Sequence, residues 1–240
     1  MTASWRHLVM LSYDIDPDIL VPLVPAGTEL DTFNGRCFVS LVGFLFEDSR
    51  LRGVPIPWHG SFEELNLRFY VKRQVGGETR RAVVFVKELV PRWTVALVAN
   101  VLYSEPYSVL PMSHKHDRGA SGELRSAMYR WTHNRRLCEI GVEVESRMAL
   151  PDIGSVEEFI AEHYWGYTRL GDAKTAEYRV THPPWRVARV KRAWLECDAA
   201  VLYGEWFAEC LAAEPASAFL ADGSEIAVHP RRILRGSGLQ

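Results

Sequence analysis

Along SFEELNLRFYV, residues 61–71, polar and apolar positions alternate with the period of a β-strand. One side of that strand carries Glu64, Asn66, Arg68 and Tyr70, the other Leu65, Leu67, Phe69 and Val71. The polar side reads either as a wet outer face or as the wall of a buried polar pocket. The same period-two patterning recurs along the chain. HLVMLSYDI (7–15) reads as a first strand, and CFVSLVGFLF (37–46), after the turn signal Asn34-Gly35, as another. Gly76-Gly77 within QVGGET joins the 61–71 strand to RRAVVFVKELV as an antiparallel hairpin. SGELRSAMYRWTHNRRLCEIGVEVESRMAL (121–150) reads as a meander, TAEYRVTHPPWRVARVKRAWLE as one or two strands, and SEIAVHP as a last one.

Helical spacing is scarcer. Asp16 caps and Pro17 opens a short helix that Pro22 and Pro25 stop. PRWTVALVANVLYSEP (91–106) places Val95, Val98, Val101 and Leu102 at helical spacing. Ser155 and Glu158 form a capping-box pattern before a helix burying Val156, Phe159 and Ile160. AAVLYGEWFAECLAAEP holds a short late helix. The balance predicts an α+β, strand-dominated fold, a curved antiparallel sheet or partly closed β-barrel with short helices at its rim. All of 1–240 is read as a single domain.

Composition narrows the function more than the fold. The 240 residues are 48% apolar and 24% charged, with a net charge of −2, which is ordinary for a globular chain and argues against a nucleic-acid partner. No apolar run reaches the roughly 20 residues of a membrane helix, and the N-terminus lacks the pattern of a signal peptide. A cytoplasmic protein without membrane association is expected. Cys37, Cys138, Cys197 and Cys210 fit no metal or redox spacing and read as reduced thiols. No phosphate loop, nucleophile elbow or dinucleotide fingerprint is present, and no cofactor is expected.

What remains is a set of scattered side chains. Glu64 and Arg68 lie about 13 Å apart along a strand rising roughly 3.3 Å per residue, so they can grip one small molecule with Asn66 between them. His114 and His116 form an HxH pair in SHKHDRG; without a third ligand the stretch reads as a polar loop bounded by prolines, and no metal is expected. Glu162-His163 is a histidine beside a carboxylate, able to act as a tuned acid or base or to sit at a helix end. His182 precedes two prolines and a tryptophan in a rigid extended segment. Tyr129 and Trp131 share a face that suits a pocket wall or sheet packing. Lys87 is read on one face with Phe85 and Leu89, partly buried, as either a tuned lysine or an edge-strand residue. Arg92 and Tyr107 complete the set.

Several longer stretches, LDTFNGRCFVSLVGF, ELNLRFYV, VKELVPRWTVALVANVLYSEPYSVLPMSHK, YRW, EHYWGYTRLGD and VTHPPWRV, occur in an order that resembles the bacterial YqjF-like family, DUF2071, from about Trp5 to about Val228. That family is similar to the acetoacetate decarboxylase-like superfamily. The resemblance implies a closed or cone-like antiparallel barrel with peripheral helices and an internal polar pocket. It also implies a difference in chemistry. The superfamily's Schiff-base lysine and the neighbour that tunes it correspond here to Tyr107 and Ser108, after Pro106, and Lys115 lies eight residues further on. Tyrosine forms no imine, so a lysine-dependent decarboxylation is not expected. Glu64 resembles the superfamily's site glutamate in its strand position.

Two functions follow. In the first the protein is a small-molecule enzyme, a lyase or hydrolase without a Schiff base. Glu64, Arg68 and His163 do acid–base work on a carbonyl or carboxylate compound, with Asn66, Tyr70, Arg92, Tyr107, His114, Tyr129, Trp131 and His182 around it. In the second it is a non-catalytic module that binds or senses a small acidic or aromatic ligand. A purely structural protein would have no pocket beneath the Glu64 strand. The partner in either case is a small molecule, and a homo-oligomer is left open.

Overall fold

The protein is described here by a computed structural model that covers residues 1–51, 53–55, 61–92 and 107–235. The helix expected over 91–106 lies outside the described residues except for its first two positions.

Long strands dominate because β-branched and aromatic residues fill them on both faces. β1 (Thr2–Ile15) runs into α1 (Pro17–Leu20), where the Asp16 side chain accepts from the Asp18 amide and proline occupies the first turn, as expected. After β2 (Glu29–Leu30), the Asn34-Gly35 turn, with φ of 51° and 77°, leads into β3 (Cys37–Leu51). β4 (Val54–Pro55) pairs back onto β3. β5 (Ser61–Val75) and β6 (Glu78–Val90) form the hairpin predicted at Gly76-Gly77, both with positive φ. β7 (Tyr107–Val109) then pairs with β6 in parallel.

β8 (Met112–Arg118), β9 (Leu124–His133), β10 (Arg136–Val144) and β13 (Val187–Glu196) make an antiparallel second layer. SHKHDRG is therefore mostly strand and not a loop: β8 pairs with β9 from Met112↔Trp131 to Arg118↔Leu124, and backbone pairing overrides a polar composition. Between the layers' elements come α2 (Val156–Ala161), β11 (Trp165–Gly171) and β12 (Lys174–Thr181). The late helix is two helices, α3 (Ala199–Tyr203) and α4 (Glu205–Leu211), broken at Gly204 with φ 92°. The strand read over 224–230 is longer and earlier, β14 (Ser217–Val228), and β15 (Arg232–Arg235) follows.

The sheet closes on itself. β14 pairs with β1, β1 with β3, β3 with β5, β5 with β6, β6 with β11, β11 with β12, and β12 with β14 again. This mostly antiparallel ring is the closed form that the family resemblance implied, where the strand pattern alone predicted a curved or partly closed sheet. β13 leaves it at β14 and carries the second layer over the outer face. The layers approach closely: a Cβ on Gly43 of β3 would lie 2.8 Å from the ring of Tyr129 on β9.

Two cores result. Outside the ring, Val9, Leu41, Leu65, Leu67 and Phe69 pack with Tyr129, Trp131, Ile140 and the helices α3 and α4. Inside it, Leu8, Met10, Phe44, Phe46 and Tyr178 pack with Phe159 of α2. β5 is buried on both faces, which answers the question its alternation raised. Among the described residues no helix is long and apolar enough to cross a membrane.

Candidate functional site

The inner face of the ring lines a partly open cavity of about 70 Å³. Strand register brings the polar row of β5 to it. Glu64, Asn66 and Arg68 stand opposite Phe44, Val42 and Ser40 of β3, and all three are buried and, with Phe44, line the cavity. On the other side Asn66 pairs with Glu88 of β6, which in turn pairs with Tyr107 of β7. A bulge between Leu67 and Arg68 skips Val86, so Phe85 and Glu88 both face the cavity although they differ in parity. The same bulge turns Lys87 away from Phe85. Its Nζ donates to the carbonyl of Leu202, 2.6 Å away, at the end of α3. No lysine is among the described residues that line the cavity.

The acidic end is built around Glu64. Its carboxylate accepts from Asn66 Nδ2 at 3.4 Å and from the Tyr107 hydroxyl at 3.5 Å, both long contacts. Arg68 lies at the other end. Asp31, the carboxylate that meets the neighbouring His163, is itself engaged by Arg81. The Arg68 guanidinium is 5.9 Å from the Tyr70 ring centre, and its buried Nε has no partner among the described residues.

His163 follows α2, whose N-terminus is held by Ser155 accepting from the Glu158 amide at 3.1 Å, as the capping box predicts. Its ring lies between Tyr70 and Phe159, with centroids 4.6 and 5.2 Å away. Its carboxylate partner is Asp31, at 3.3 Å from Nε2, and not the adjacent Glu162, which accepts instead from the Tyr164 hydroxyl. Burial pushes the imidazole down to about 4, with Arg81 and Arg68 adding to the effect and Asp31 opposing it. His163 is thus neutral at pH 7. Burial works against the Asp31 carboxylate, but hydrogen bonds from His163 and Arg81 hold it below its ordinary range. Burial also lowers His182, which stacks on Trp185 with centroids 4.2 Å apart and lines the cavity with it. Trp5, Phe46, Trp165 and Tyr178 complete an aromatic wall.

Of the side chains singled out in the sequence, the cavity gathers Glu64, Asn66, Arg68, Tyr107, His163 and His182. Tyr70 is buried behind His163 and donates to Ser40 Oγ at 2.6 Å, with Ser40 bonded in turn to Ser12. Four others stand elsewhere. Tyr129 and Trp131 fill the outer core, because the face of β9 that carries them turns towards the outside of the ring. His114 bonds Glu63, the neighbour of Glu64 on the opposite face of β5, at 2.7 Å. Arg92 is exposed at the end of β6. His116 meets His7 and the Tyr129 hydroxyl, and no group of three or more His, Cys, Asp or Glu among the described residues is arranged to hold a metal ion. Asp31, Glu88, Trp5, Trp165 and Trp185 were not singled out. Counted from the Gly76-Gly77 hairpin, regular pairing would set Lys87 and not Glu88 opposite Asn66, so the bulge hides Glu88 from the sequence, and Asp31 lies 132 residues from His163.

The family model of DUF2071, described as an uncharacterized conserved protein, matches residues 2–225. The uncharacterized protein YqjF of Bacillus subtilis is 40% identical over 72 residues, a match spanning 30% of this chain and 30% of that protein. Among solved structures, acetoacetate decarboxylase from Legionella pneumophila superposes with a TM-score of 0.69 at 11% identity, covering 97% of this chain and 86% of that one. The enduracididine biosynthesis enzyme MppR, complexed with pyruvate, gives 0.66 at 14% identity over 98% and 91%. An acetoacetate decarboxylase-like enzyme from Sphingomonas wittichii gives 0.65 at 15% over 98% and 92%. At these identities the likeness establishes the acetoacetate decarboxylase-like fold.

Proposed function

The chain belongs to the DUF2071 family, and from the cavity at the centre of its fold we propose that it binds a small carboxylate or carbonyl compound and performs acid–base chemistry on it without a Schiff base. One observation carries this reading. Four cavity-lining side chains, Trp5, Asn66, Arg68 and His163, each bury a polar atom (Nε1, Oδ1, Nε and Nδ1) that meets no partner among the described residues. Buried polar atoms are nearly always paired, and each one left alone costs about 1–3 kcal/mol. Four around one cavity, both donors and acceptors, suit a small polar ligand. A volume of about 70 Å³ is several times the roughly 10–15 Å³ that one water needs, room for a small ligand. Pyruvate, the ligand named for one structural neighbour, is of this size.

In this reading Arg68 holds the carboxylate, as its fork geometry and its lack of an ion-pair partner among the described residues favour. Asn66 and Tyr107 orient the remainder, and Glu64 and His163 exchange a proton with it. Such catalysis contributes about 10²–10⁴ in rate. Enolisation, dehydration or hydrolysis all fit this equipment. The absence of lysine from the described lining residues supports a route without an imine.

Calorimetric titration with acetate, pyruvate, acetoacetate and benzoate tests binding, and proton NMR in D₂O tests chemistry on whichever compound binds. Arg68→Ala should weaken binding at least tenfold, and Glu64→Gln should abolish turnover with the fold intact. Equal binding by Arg68→Ala, or none of the four bound, rejects the anion-site assignment. A ligand bound yet unchanged by the wild type supports a binding or sensing module instead.

A further inference from the structure

Resting on the ligand reading above, we infer that Asp31 is a positioning residue that fixes the tautomer of His163, so that Nδ1 is the proton acceptor of the cavity. The geometry leaves little choice. Asp31 Oδ2 lies 3.3 Å from His163 Nε2 and takes a second hydrogen bond from Arg81 Nε at 2.7 Å. A carboxylate braced by a guanidinium is ionised and only accepts, so Nε2 must carry the hydrogen. In a neutral ring Nδ1 then holds the lone pair. Nδ1 is the nitrogen with no partner among the described residues, on a ring that lines the cavity.

The brace is rigid. The Asp31 amide donates to the carbonyl of Tyr70 at 3.0 Å, tying the residue to β5. Arg81 lies over Phe159, 4.4 Å from its centre, and Phe159 and Tyr70 flank the imidazole. The charged or titratable groups facing the ring are Asp31 from the segment after β2, Arg81 from β6, and Arg68 and Tyr70 from β5; α2 contributes Phe159.

The arrangement also couples binding to basicity. In the free protein the Arg68 charge disfavours an imidazolium. A ligand carboxylate on Arg68 offsets that charge, and the base strengthens when there is a substrate to act on. With pyruvate, Nδ1 takes a methyl proton, the C–H electron pair becomes the enolate C=C bond while the carbonyl π pair moves onto oxygen, and Asp31 stabilises the imidazolium. Return of the proton, or of a deuteron after exchange with D₂O, restores the ketone.

The test is long-range ¹H–¹⁵N NMR on the full chain with ¹⁵N-histidine, which reports which nitrogen of His163 is protonated. The free wild type should show the Nε2–H tautomer, and a dominant Nδ1–H form overturns the inference without any variant. Asp31→Asn should lose the single tautomer and slow deuterium exchange of pyruvate at least tenfold, with pyruvate affinity within about twofold. Retention of both tautomer and exchange rate in that variant overturns it. Failure of the wild type to bind pyruvate would reject pyruvate as the ligand, while the free-protein tautomer would still decide the role of Asp31.

Discussion

Arg68 shows how a single position is fixed by strand parity. It shares a side of β5 with Glu64 and Asn66, and once Leu65, Leu67 and Phe69 are committed to the outer core the polar row has only the cavity to face. Gly166 on β11 supports the opposite wall. A Cβ there would come within 2.2 Å of the Tyr178 ring, which lines the cavity. Gly166→Ala should therefore destabilise by about 1–3 kcal/mol, as overpacking does, and weaken pyruvate binding by crowding the site; unchanged urea midpoint and affinity would count against this packing. This is the scale at which the sequence was most readable and most deceptive. Alternation exposed Glu64, Asn66 and Arg68, because a regular strand keeps its phase. It misassigned Lys87, because one bulged residue reverses the phase of everything after it. It could not pair His163 with Asp31, since nothing local marks a contact made across the closed ring.

At the level of elements, the ring has two narrow seams. β11 joins β6 only at Trp165↔Ala82 and Gly166↔Val83, and β12 joins β14 only at Val180↔Val228 and Thr181↔Ala227. Trp165, Val180 and Val228 also line the cavity, so both seams run beside the site. Glu177 of β12 reinforces the first seam. Its buried carboxylate takes Arg73 at 3.3 Å from β5, Arg80 at 3.1 Å from β6 and the Tyr167 hydroxyl at 2.9 Å from β11. Glu177→Leu would remove the buried carboxylate that Arg73, Arg80 and the Tyr167 hydroxyl share and should cost about 3–5 kcal/mol, the usual penalty for breaking a buried ion pair; a loss under 1 kcal/mol in urea unfolding would show that the network is dispensable. Amide exchange should be faster in β11 and β12 than in β3 and β5, which are paired along their length. The capping box of α2 and the Gly76-Gly77 hairpin were legible because their signals are local. Strand β8 was not, because its residues are polar and only their pairing with β9 makes them a strand.

For the whole molecule, closure of the ring buries histidines as well as a cavity. His163 and His7 are pushed down to about 4 and His116 to about 3, burial being the main cause in each. The unfolded chain titrates them near 6.5, so between that pH and about 4 it binds more protons than the folded one, and stability rises with pH across that window. Acidification below about 6.5 should therefore destabilise the protein before its carboxylates titrate, by about 2 kcal/mol at pH 5 from His163 alone. Urea unfolding at pH 7.5 and 5.0 measures the loss, and His163→Gln should shrink it; an equal loss in the variant would remove His163 as a source. Asp31, held below its ordinary range, adds stability that disappears only at lower pH, as its carboxylate protonates.

The same closure makes the site. Fold and polar row together place a guanidinium, two carboxylates and a neutral imidazole inside one small aromatic-walled space. A crystal structure of the protein soaked in pyruvate tests that account most directly. The account predicts one pyruvate inside the ring, its carboxylate on the Arg68 guanidinium and its carbon chain directed towards His163 and Glu64. A cavity holding only water at saturating pyruvate, or a carboxylate bound away from Arg68, would contradict it.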